Sequence, residues 1–169
     1  AFGDQRHEMA AFDDSVAVLL NGVYYTIEAA LPYLLSQDEG GAIVITSSTA
    51  GLNSLCPTLT SQSRGMAGYH AGKHGIVGLM RYYATSLAER NIRVNTVHPT
   101  GVATPMILNE GFAALVAEYP QDVTGLQAPL PVELIDPSDV TEAMVYLCGR
   151  SGRYITGITL PVDGGISVK

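Results

Sequence analysis

The sequence has few charged residues, no tryptophan and no run of lysine or arginine. Charged residues make up 15% of the 169 residues, and the net charge is −7. Because nucleic-acid binding depends on clustered basic side chains, this composition predicts no nucleic-acid partner. Hydrophobic residues make up 47%, which is enough apolar material for a packed core and argues against a disordered chain.

Cysteines, targeting signals and long apolar runs are also scarce. Cys56 and Cys148 are far apart and form no CxxC pair, so we predict small buried or half-buried thiols of a reducing compartment. The N-terminal residues contain neither an apolar signal core nor an arginine-rich transit pattern. Pro32, Gly41 and polar residues interrupt the apolar runs before the ~20 residues needed to cross a bilayer. We therefore expect a cytoplasmic protein with no membrane partner.

A glycine-rich phosphate loop is missing as well. No GxGxxG follows a predicted strand; Gly72, Gly75 and Gly78 are spaced by three inside a predicted helix. Together with Gly68 and Ala71 they predict a smooth face for close helix contact. The absence of GxSxG excludes an α/β-hydrolase nucleophile elbow.

Apolar periodicity predicts three alternations of helix and strand, which favour a three-layer α/β fold of Rossmann type. In such a fold a parallel sheet carries helices on both faces. The first helix is expected to be capped by Asp13 or Asp14 and kinked by Pro32, and the last to be capped around Asp136. The predicted elements are a helix at Phe12–Ser36, a strand at Ala42–Thr46, a helix at 67–90, a strand at Ile92–His98, a helix at 136–148 and a strand at Ile158–Asp163.

Three strands are few for this architecture, since comparable sheets hold ~5–6. The chain also opens without Met and runs directly into a helical pattern. We therefore expect residues 1–169 to be a single catalytic portion whose first half of the fold is absent from this sequence. The segments 52–66 and 106–135 are interpreted as a substrate-side loop and a lid.

The pair Tyr69 and Lys73 carries the clearest chemical signal. Residues four apart share one face of a helix, so the two side chains can approach each other. An ammonium near a tyrosine favours the phenolate, which brings proton transfer into the neutral range. His70 and His74 have the same spacing, but no third ligand is indicated, and we predict no metal site.

A buried strand ends just before this helix in Thr46-Ser47-Ser48. Open α/β sheets place their sites at the carboxyl ends of their strands. A serine there can donate a hydrogen bond to a carbonyl or accept one from an alcohol. The order of strand, serine, loop, YxxxK helix, strand and proline is far more specific than any one of its parts.

With these motifs the sequence resembles the short-chain dehydrogenase/reductase family over essentially its whole length. The resemblance rests on Leu20-Asn21-Gly22, Ile45-Thr46-Ser47-Ser48, Tyr69-His70-Ala71-Gly72-Lys73, Ile92-Arg93-Val94-Asn95, His98 to Met106, and Thr156-Gly157 through Asp163-Gly164-Gly165. It implies a hydride transfer between a nicotinamide cofactor and a secondary alcohol or ketone.

The resemblance also implies a role for each matching residue. Ser48, rather than Ser47, would polarise the substrate oxygen, Tyr69 would be the acid/base, Lys73 would activate it and hold the nicotinamide ribose, and Asn21 would anchor a relay water. The candidate cofactor-binding residues are Thr46, Tyr69, Lys73, Pro99, Gly101, Val102, Thr104 and Met106. Among them, the Val102 backbone and the Thr104 hydroxyl would bind the carboxamide.

Several features depart from the family pattern or refine it. Glycine usually follows the proline directly, whereas here Thr100 precedes Gly101, and Leu52 to Met66 reads as an inserted loop. The phrasing of the YxxxK and HPTGV motifs is similar to the actinobacterial branch associated with carveol dehydrogenases and mycofactocin, which implies NAD, with NADP not excluded. The resemblance also implies a dimer or homotetramer.

Two other interpretations stay open. The chain could be a truncated, non-catalytic subunit or scaffold of the same fold. It could also belong to a 3-oxoacyl carrier-protein reductase, although the acyl carrier favours a basic patch and the sequence shows none.

Overall fold

Three parallel strands form the centre of the fold. In the computed structural model, which describes residues 5–54, 65–118, 120 and 127–169, the strands lie in the order β1, β2, β3. Gly41 pairs with Ile92 at one end of the first ladder, and Pro99 pairs with Val162 at the end of the second. Each strand lies within one residue of its expected ends, and the predicted parallel sheet is confirmed. The strands are β1 (Gly41–Thr46), β2 (Ile92–Pro99) and β3 (Thr159–Val162).

Helices cover both faces of this sheet, as the three-layer prediction requires. They are α1 (Gln5–Val16), α2 (Gly22–Leu35), α3 (Met66–Ser86), α4 (Glu110–Glu118) and α5 (Pro137–Cys148). On one face Ile45 packs with Ile27 of α2 and Ile76 of α3. On the other face Val44 packs against the cluster that holds Leu147 of α5. Alternate residues of β1 therefore enter two separate cores, which explains its unbroken apolar sequence.

The first helix begins earlier than its sequence pattern predicts. Asp13 and Asp14 are exposed residues inside α1, so the expected cap there is wrong. Exposed aspartate in a helix interior carries only a small cost, and it does not mark a helix start by itself. Between α1 and α2 the backbone forms a π-helical segment at Ala17–Asn21, where the Gly22 amide donates to the Ala17 carbonyl. Hydrophobic spacing does not reveal such a local change of hydrogen-bond register.

The glycine face of α3 lies against this first helical segment. A Cβ atom on Gly68 would lie 2.7 Å from the Phe12 carbonyl oxygen, and one on Gly72 would lie 3.1 Å from the Leu19 Cβ. Gly75 continues the same contact. The predicted close helix contact is confirmed at these three positions, and it is made within the chain.

Length and composition give the α1–α2 region a property that the sequence reading missed. The helical segment Met9–Leu35 spans 27 residues with a mean hydropathy of 1.2. By length and composition alone, it is long and apolar enough to cross a membrane. The expectation that no stretch reaches this length was therefore wrong, because it counted Pro32 and isolated polar residues as interruptions. A single such helix near the N-terminus is weak support for a membrane span, since core helices of soluble proteins can have the same length and composition.

The two long connecting segments are only partly described. Residues 55–64, including Cys56, and residues 119 and 121–126 lie outside the described ranges. The helix α4 occupies part of the expected lid. Cys148, expected to be buried or half-buried, is exposed. In the last turn of α5 the buried position is occupied by its neighbour Leu147.

The start of α5 agrees with the prediction from sequence. Asp136 is the N-cap, and its side chain accepts a hydrogen bond from the Ser138 amide at 2.8 Å. Pro137 occupies the first helical turn, where a missing N–H costs nothing. Local capping chemistry alone sets this boundary.

Candidate active site

Tyr69 and Lys73 lie one turn apart near the start of α3. The Lys73 Nζ is 5.7 Å from the centroid of the Tyr69 ring. The same Nζ donates a hydrogen bond of 3.1 Å to the carbonyl oxygen of Thr46, the last residue of β1. The helical pair is thereby attached to the carboxyl end of the first strand.

Burial affects the lysine of this pair. Lys73 is half-buried, and removal from water lowers the pKa of its ammonium below the ordinary value. Desolvation disfavours the charged form of the lysine. Among the described residues, no neighbouring carboxylate offsets this effect. The ammonium instead donates a hydrogen bond to the Thr46 carbonyl oxygen, which orients it toward the end of β1.

The two serines that follow β1 use their hydroxyl groups differently. The Ser47 Oγ donates to the Lys73 carbonyl oxygen at 3.0 Å. The Ser48 Oγ accepts from the Ala50 amide at 3.1 Å and caps the short 3₁₀ turn Thr49–Gly51. Ser48 therefore keeps its own hydroxyl proton for donation, whereas the proton of Ser47 is already engaged.

A buried histidine joins the ends of β1 and β2. The Nδ1 of His98 lies 2.7 Å from the Ser48 carbonyl oxygen, and its Nε2 lies 2.8 Å from the Thr96 Oγ1. His98 has no exposed area. Burial lowers the pKa of His98, and the charges of Lys73 and His74 lower it further, although the bond to Ser48 opposes this.

The loop after β2 is tied to the end of the expected lid. Val102 forms an isolated parallel bridge with Ile135. The Ala103 amide donates to the Ile135 carbonyl, and the Ile135 amide donates to the Gly101 carbonyl, each at 2.9 Å. The Thr104 amide donates to the Val102 carbonyl at 2.7 Å. The loop therefore has a defined shape beside the carboxyl ends of the strands.

The other predicted residues differ in how far they approach this centre. Pro99 is buried at the end of β2. Asn21 is exposed and ends the π-helical segment, whose Leu19 and Leu20 contact α3 on either side of Lys73. Met106, two residues after Thr104 on the same loop, is 82% exposed.

Two histidines of α3 bond to carbonyl oxygens of the preceding helical turn. The Nδ1 of His70 is 2.8 Å from the Met66 carbonyl oxygen, and that of His74 is 3.0 Å from the His70 carbonyl oxygen. Within residues 5–54, 65–118, 120 and 127–169, no three His, Cys, Asp or Glu side chains form a group suited to a metal ion.

Comparison with known proteins decides the family. A family model described as enoyl-(acyl carrier protein) reductase matches residues 4–167, and a short-chain type dehydrogenase/reductase of Mycolicibacterium smegmatis is 40% identical over 168 residues, covering 95% of this chain and 57% of that protein. The chain belongs to the short-chain dehydrogenase/reductase family.

Two further members of the short-chain dehydrogenase/reductase family that are similar to this chain are carveol dehydrogenases. The (−)-trans-carveol dehydrogenase of Rhodococcus erythropolis is 38% identical over 162 residues, covering 91% of this chain and 56% of the relative. A crystal structure of carveol dehydrogenase from Mycobacterium avium in complex with NAD superposes with a TM-score of 0.81 at 36% identity, covering 94% of this chain and 57% of that one. This short-chain dehydrogenase/reductase chain thus spans just over half the length of these relatives.

Within this short-chain dehydrogenase/reductase site, sequence reasoning missed His98. The HPTGV motif was recognised as a whole, but no role followed for its histidine. The sequence feature that could have indicated His98 is its position at the end of a predicted buried strand. It directly precedes Pro99, which has no N–H to donate.

Proposed function

We propose that the polypeptide carrying this chain is a dehydrogenase/reductase that transfers a hydride between a nicotinamide cofactor and a secondary alcohol or ketone. The observation that carries the proposal is the position of the Lys73 Nζ, 3.1 Å from the Thr46 carbonyl oxygen and 5.7 Å from the Tyr69 ring centroid. It places the helical pair at the same strand end as the Ser48 hydroxyl.

The donors at this strand end fit a nicotinamide nucleoside. An ammonium has three protons, and within the described residues Thr46 takes one of the three from Lys73. The remaining protons suit ribose hydroxyls. Val102 and Thr104, held by the bridge to Ile135, would bind the carboxamide, with Thr46, Pro99, Gly101 and Met106 around them. When bound, the cofactor accepts or supplies the hydride at its C4.

Each catalytic side chain then has one task. Ser48 donates its hydroxyl proton to the substrate oxygen, while its own oxygen accepts from the Ala50 amide. Tyr69 donates a proton to that oxygen in reduction and removes it in oxidation. Lys73 supports the charge on the tyrosine oxygen, and Asn21 connects the site to water through the π-helical segment.

NAD is the proposed cofactor because the superposed carveol dehydrogenase binds it, and NADP is not excluded. The carveol dehydrogenases also support a small cyclic secondary alcohol as the substrate. We further propose a homo-oligomer, a dimer or a tetramer, and a cytoplasmic location. The exposed aromatic side chains of Tyr24, Tyr25 and Tyr33 on α2 support the oligomer.

The segments around this site complete the proposal. Residues 1–169 form one catalytic portion, with 52–66 and 106–135 as the loop and lid on the substrate side. The main support is the hydrogen bonding of Ile135 to Gly101 and Ala103, which places the end of the lid segment against the cofactor loop.

Turnover by the complete polypeptide tests the function. Purified protein is given NAD and carveol, and NADH formation is followed by its absorbance, with NADP and a 3-oxoacyl thioester plus NADPH as comparison arms. We expect NADH formation with carveol. No turnover in any arm, with intact folding, would favour the non-catalytic scaffold, whereas activity on the thioester alone would favour the 3-oxoacyl reductase.

A further inference from the structure

His98 lies at the junction between the ends of β1 and β2, on the side of the candidate active site. Its side chain has no exposed area, and neither has Thr96, its neighbour on the same face of β2. Among the described residues, the polar partners of the ring are the Ser48 carbonyl oxygen and the Thr96 hydroxyl. A buried imidazole with two partners has a defined proton position.

The partners fix which nitrogen carries the proton. A carbonyl oxygen can only accept a hydrogen bond, so the Nδ1 of His98 must donate to Ser48 across 2.7 Å. In the uncharged ring the Nε2 then has a lone pair, which accepts the Thr96 hydroxyl proton across 2.8 Å. Burial and the nearby positive charge of Lys73 favour the uncharged ring.

The ring supplies a connection that the backbone does not provide. The Ser47 amide donates to the Val97 carbonyl at 2.8 Å, which extends the ladder one residue past β1. The next donor position on β2 is Pro99, which has no N–H. The His98 side chain continues the link between the strands beyond this point by bonding the Ser48 carbonyl.

The Ser48 residue is therefore held at three places. Its carbonyl oxygen accepts from the His98 ring and from the Gly51 amide at 2.9 Å, and its Oγ accepts from the Ala50 amide. The latter two bonds lie within the short turn, so they move with Ser48. The bond to His98 connects the Ser48 carbonyl to the neighbouring strand β2.

We infer that His98 is a positioning residue: its uncharged ring, protonated at Nδ1, fixes the Ser48 peptide relative to β2 so that the Ser48 hydroxyl meets the reacting oxygen. This inference rests on the proposed function for the direction in which Ser48 acts. The ring touches neither substrate nor cofactor, and it acts through the peptide that it holds.

Two amide side chains separate the roles of the two ring nitrogens. The amide nitrogen of asparagine is as many bonds from Cβ as the histidine Nδ1, whereas that of glutamine corresponds to Nε2. His98→Asn can therefore keep the donor to Ser48, and His98→Gln removes it while keeping a polar group near Thr96. His74→Asn is a matched control, since His74 is exposed and bonds only within α3.

Kinetics of the complete polypeptide provide the first test. We expect His98→Gln to lower kcat about 10–100-fold, the cost of a small misplacement of a catalytic group, with the KM for NAD within twofold. His98→Asn should recover most of kcat, and His74→Asn should match the wild type. Equal losses in both His98 variants that track a fall in Tm would overturn the inference in favour of a purely structural role, and so would an unchanged kcat in His98→Gln.

Nitrogen NMR of the unaltered protein gives a second test that requires no activity. In protein with ¹⁵N-labelled histidine, we expect a ring with Nδ1 protonated and Nε2 bare at neutral pH whose signals are absent from the His98→Asn spectrum; that comparison separates it from His70 and His74, whose Nδ1 atoms also lie near carbonyl oxygens. An Nε2-protonated or doubly protonated ring would overturn the inference. Failure of the proposed function would instead appear as no turnover by the wild-type polypeptide with NAD or NADP, whatever the spectrum shows, whereas full activity in a Ser48→Ala variant would remove only the role of Ser48.

Discussion

The Ser47 hydroxyl donates to the backbone carbonyl of Lys73 across 3.0 Å, and so joins the end of β1 to the helix that carries the YxxxK pair. Its neighbour Ser48 bonds, among the residues that the structure describes, within its own turn and to His98. Two adjacent serines of identical chemistry thus have separate tasks. Ser47 holds the helix, and Ser48 presents a hydroxyl to the site.

Substitution of the two serines should separate these tasks. We expect Ser48→Ala to lower kcat about 10²-fold or more, because it removes a group that polarises the reacting oxygen, and to cost about 0.5–2 kcal/mol of stability, because the Ala50 amide loses its acceptor. Ser47→Ala should cost about 0.5–1.5 kcal/mol of stability, the net value of one hydrogen bond, and keep kcat within tenfold. Steady-state kinetics and urea unfolding of both variants check this, and the reverse pattern would exchange the two assignments.

The close approach of the same turn to α3 makes Gly51 sensitive to substitution. A Cβ at Gly51 would lie 2.5 Å from the Ser47 Oγ and 2.7 Å from the Lys73 carbonyl oxygen. Gly51→Ala should therefore destabilise the fold by about 1–3 kcal/mol, as overpacking does. Gly78 is the matched control, since nothing lies within 4 Å of its Cβ position. Gly78→Ala should stabilise α3 by about 0.5–1 kcal/mol; equal effects of both in urea unfolding would contradict the geometry.

Much of the fold could be predicted because local chemistry determines it. The Asp136 cap and the apolar runs of β1 and β2 depend on residues next to one another, and their ends agree with the structure to within a residue. The parallel pairing of the strands followed from the alternation of helices and strands. Tyr69, Lys73 and Ser48 could be found because their motifs have fixed positions along helix and strand.

What the sequence did not reveal depends on contacts between distant segments. The π-helical segment Ala17–Asn21 is made of ordinary helix-forming residues, so its sequence does not indicate the altered hydrogen-bond register. The segment packs against α3, where Leu19 and Leu20 lie beside Gly72 and Gly75. His98 acts through Ser48, fifty residues away. Cys148 is a residue type that is commonly buried, yet its place on α5 leaves it exposed. No pattern within a short window contains these relationships.

A second contact between distant segments predicts the stability of the α5 end. The Arg93 guanidinium donates to the carbonyl oxygens of Leu147, Cys148 (3.1 Å) and Gly152 (2.8 Å). Arg93→Met should cost about 2–4 kcal/mol, because it leaves several carbonyls at a helix end without their charged donor. Arg153→Met, at an exposed site, should stay within about 0.5 kcal/mol. A loss in urea unfolding no larger than that of Arg153→Met would show that water replaces the guanidinium.

Asp163 predicts how stability depends on pH. Its burial raises the pKa, but hydrogen bonds from Ser167 and from the Gly165 amide outweigh burial and hold the pKa below the ordinary value. A depressed pKa stabilises the fold above the unfolded value near ~3.9 and loses that effect as pH falls through the folded value. Asp163→Asn should therefore flatten the fall of Tm below about pH 4. Asp38→Asn, on the exposed surface, is the control, and an unchanged acid limb in Asp163→Asn would contradict the assignment.

Tyr69 is the proposed proton donor, and removal of one oxygen atom tests it. Tyr69→Phe keeps the ring against the Lys73 ammonium, so we expect an unchanged Tm and retained NADH binding. Hydride transfer should fall by at least the ~10²–10⁴ that acid/base groups typically contribute. Tyr82→Phe, on the exposed side of the same helix and 65% exposed, should turn over at the wild-type rate. Single-turnover absorbance of NADH in the complete polypeptide measures both variants. Turnover of Tyr69→Phe within tenfold of the wild type would remove Tyr69 from the mechanism, because another group at this strand end would then have to supply the proton.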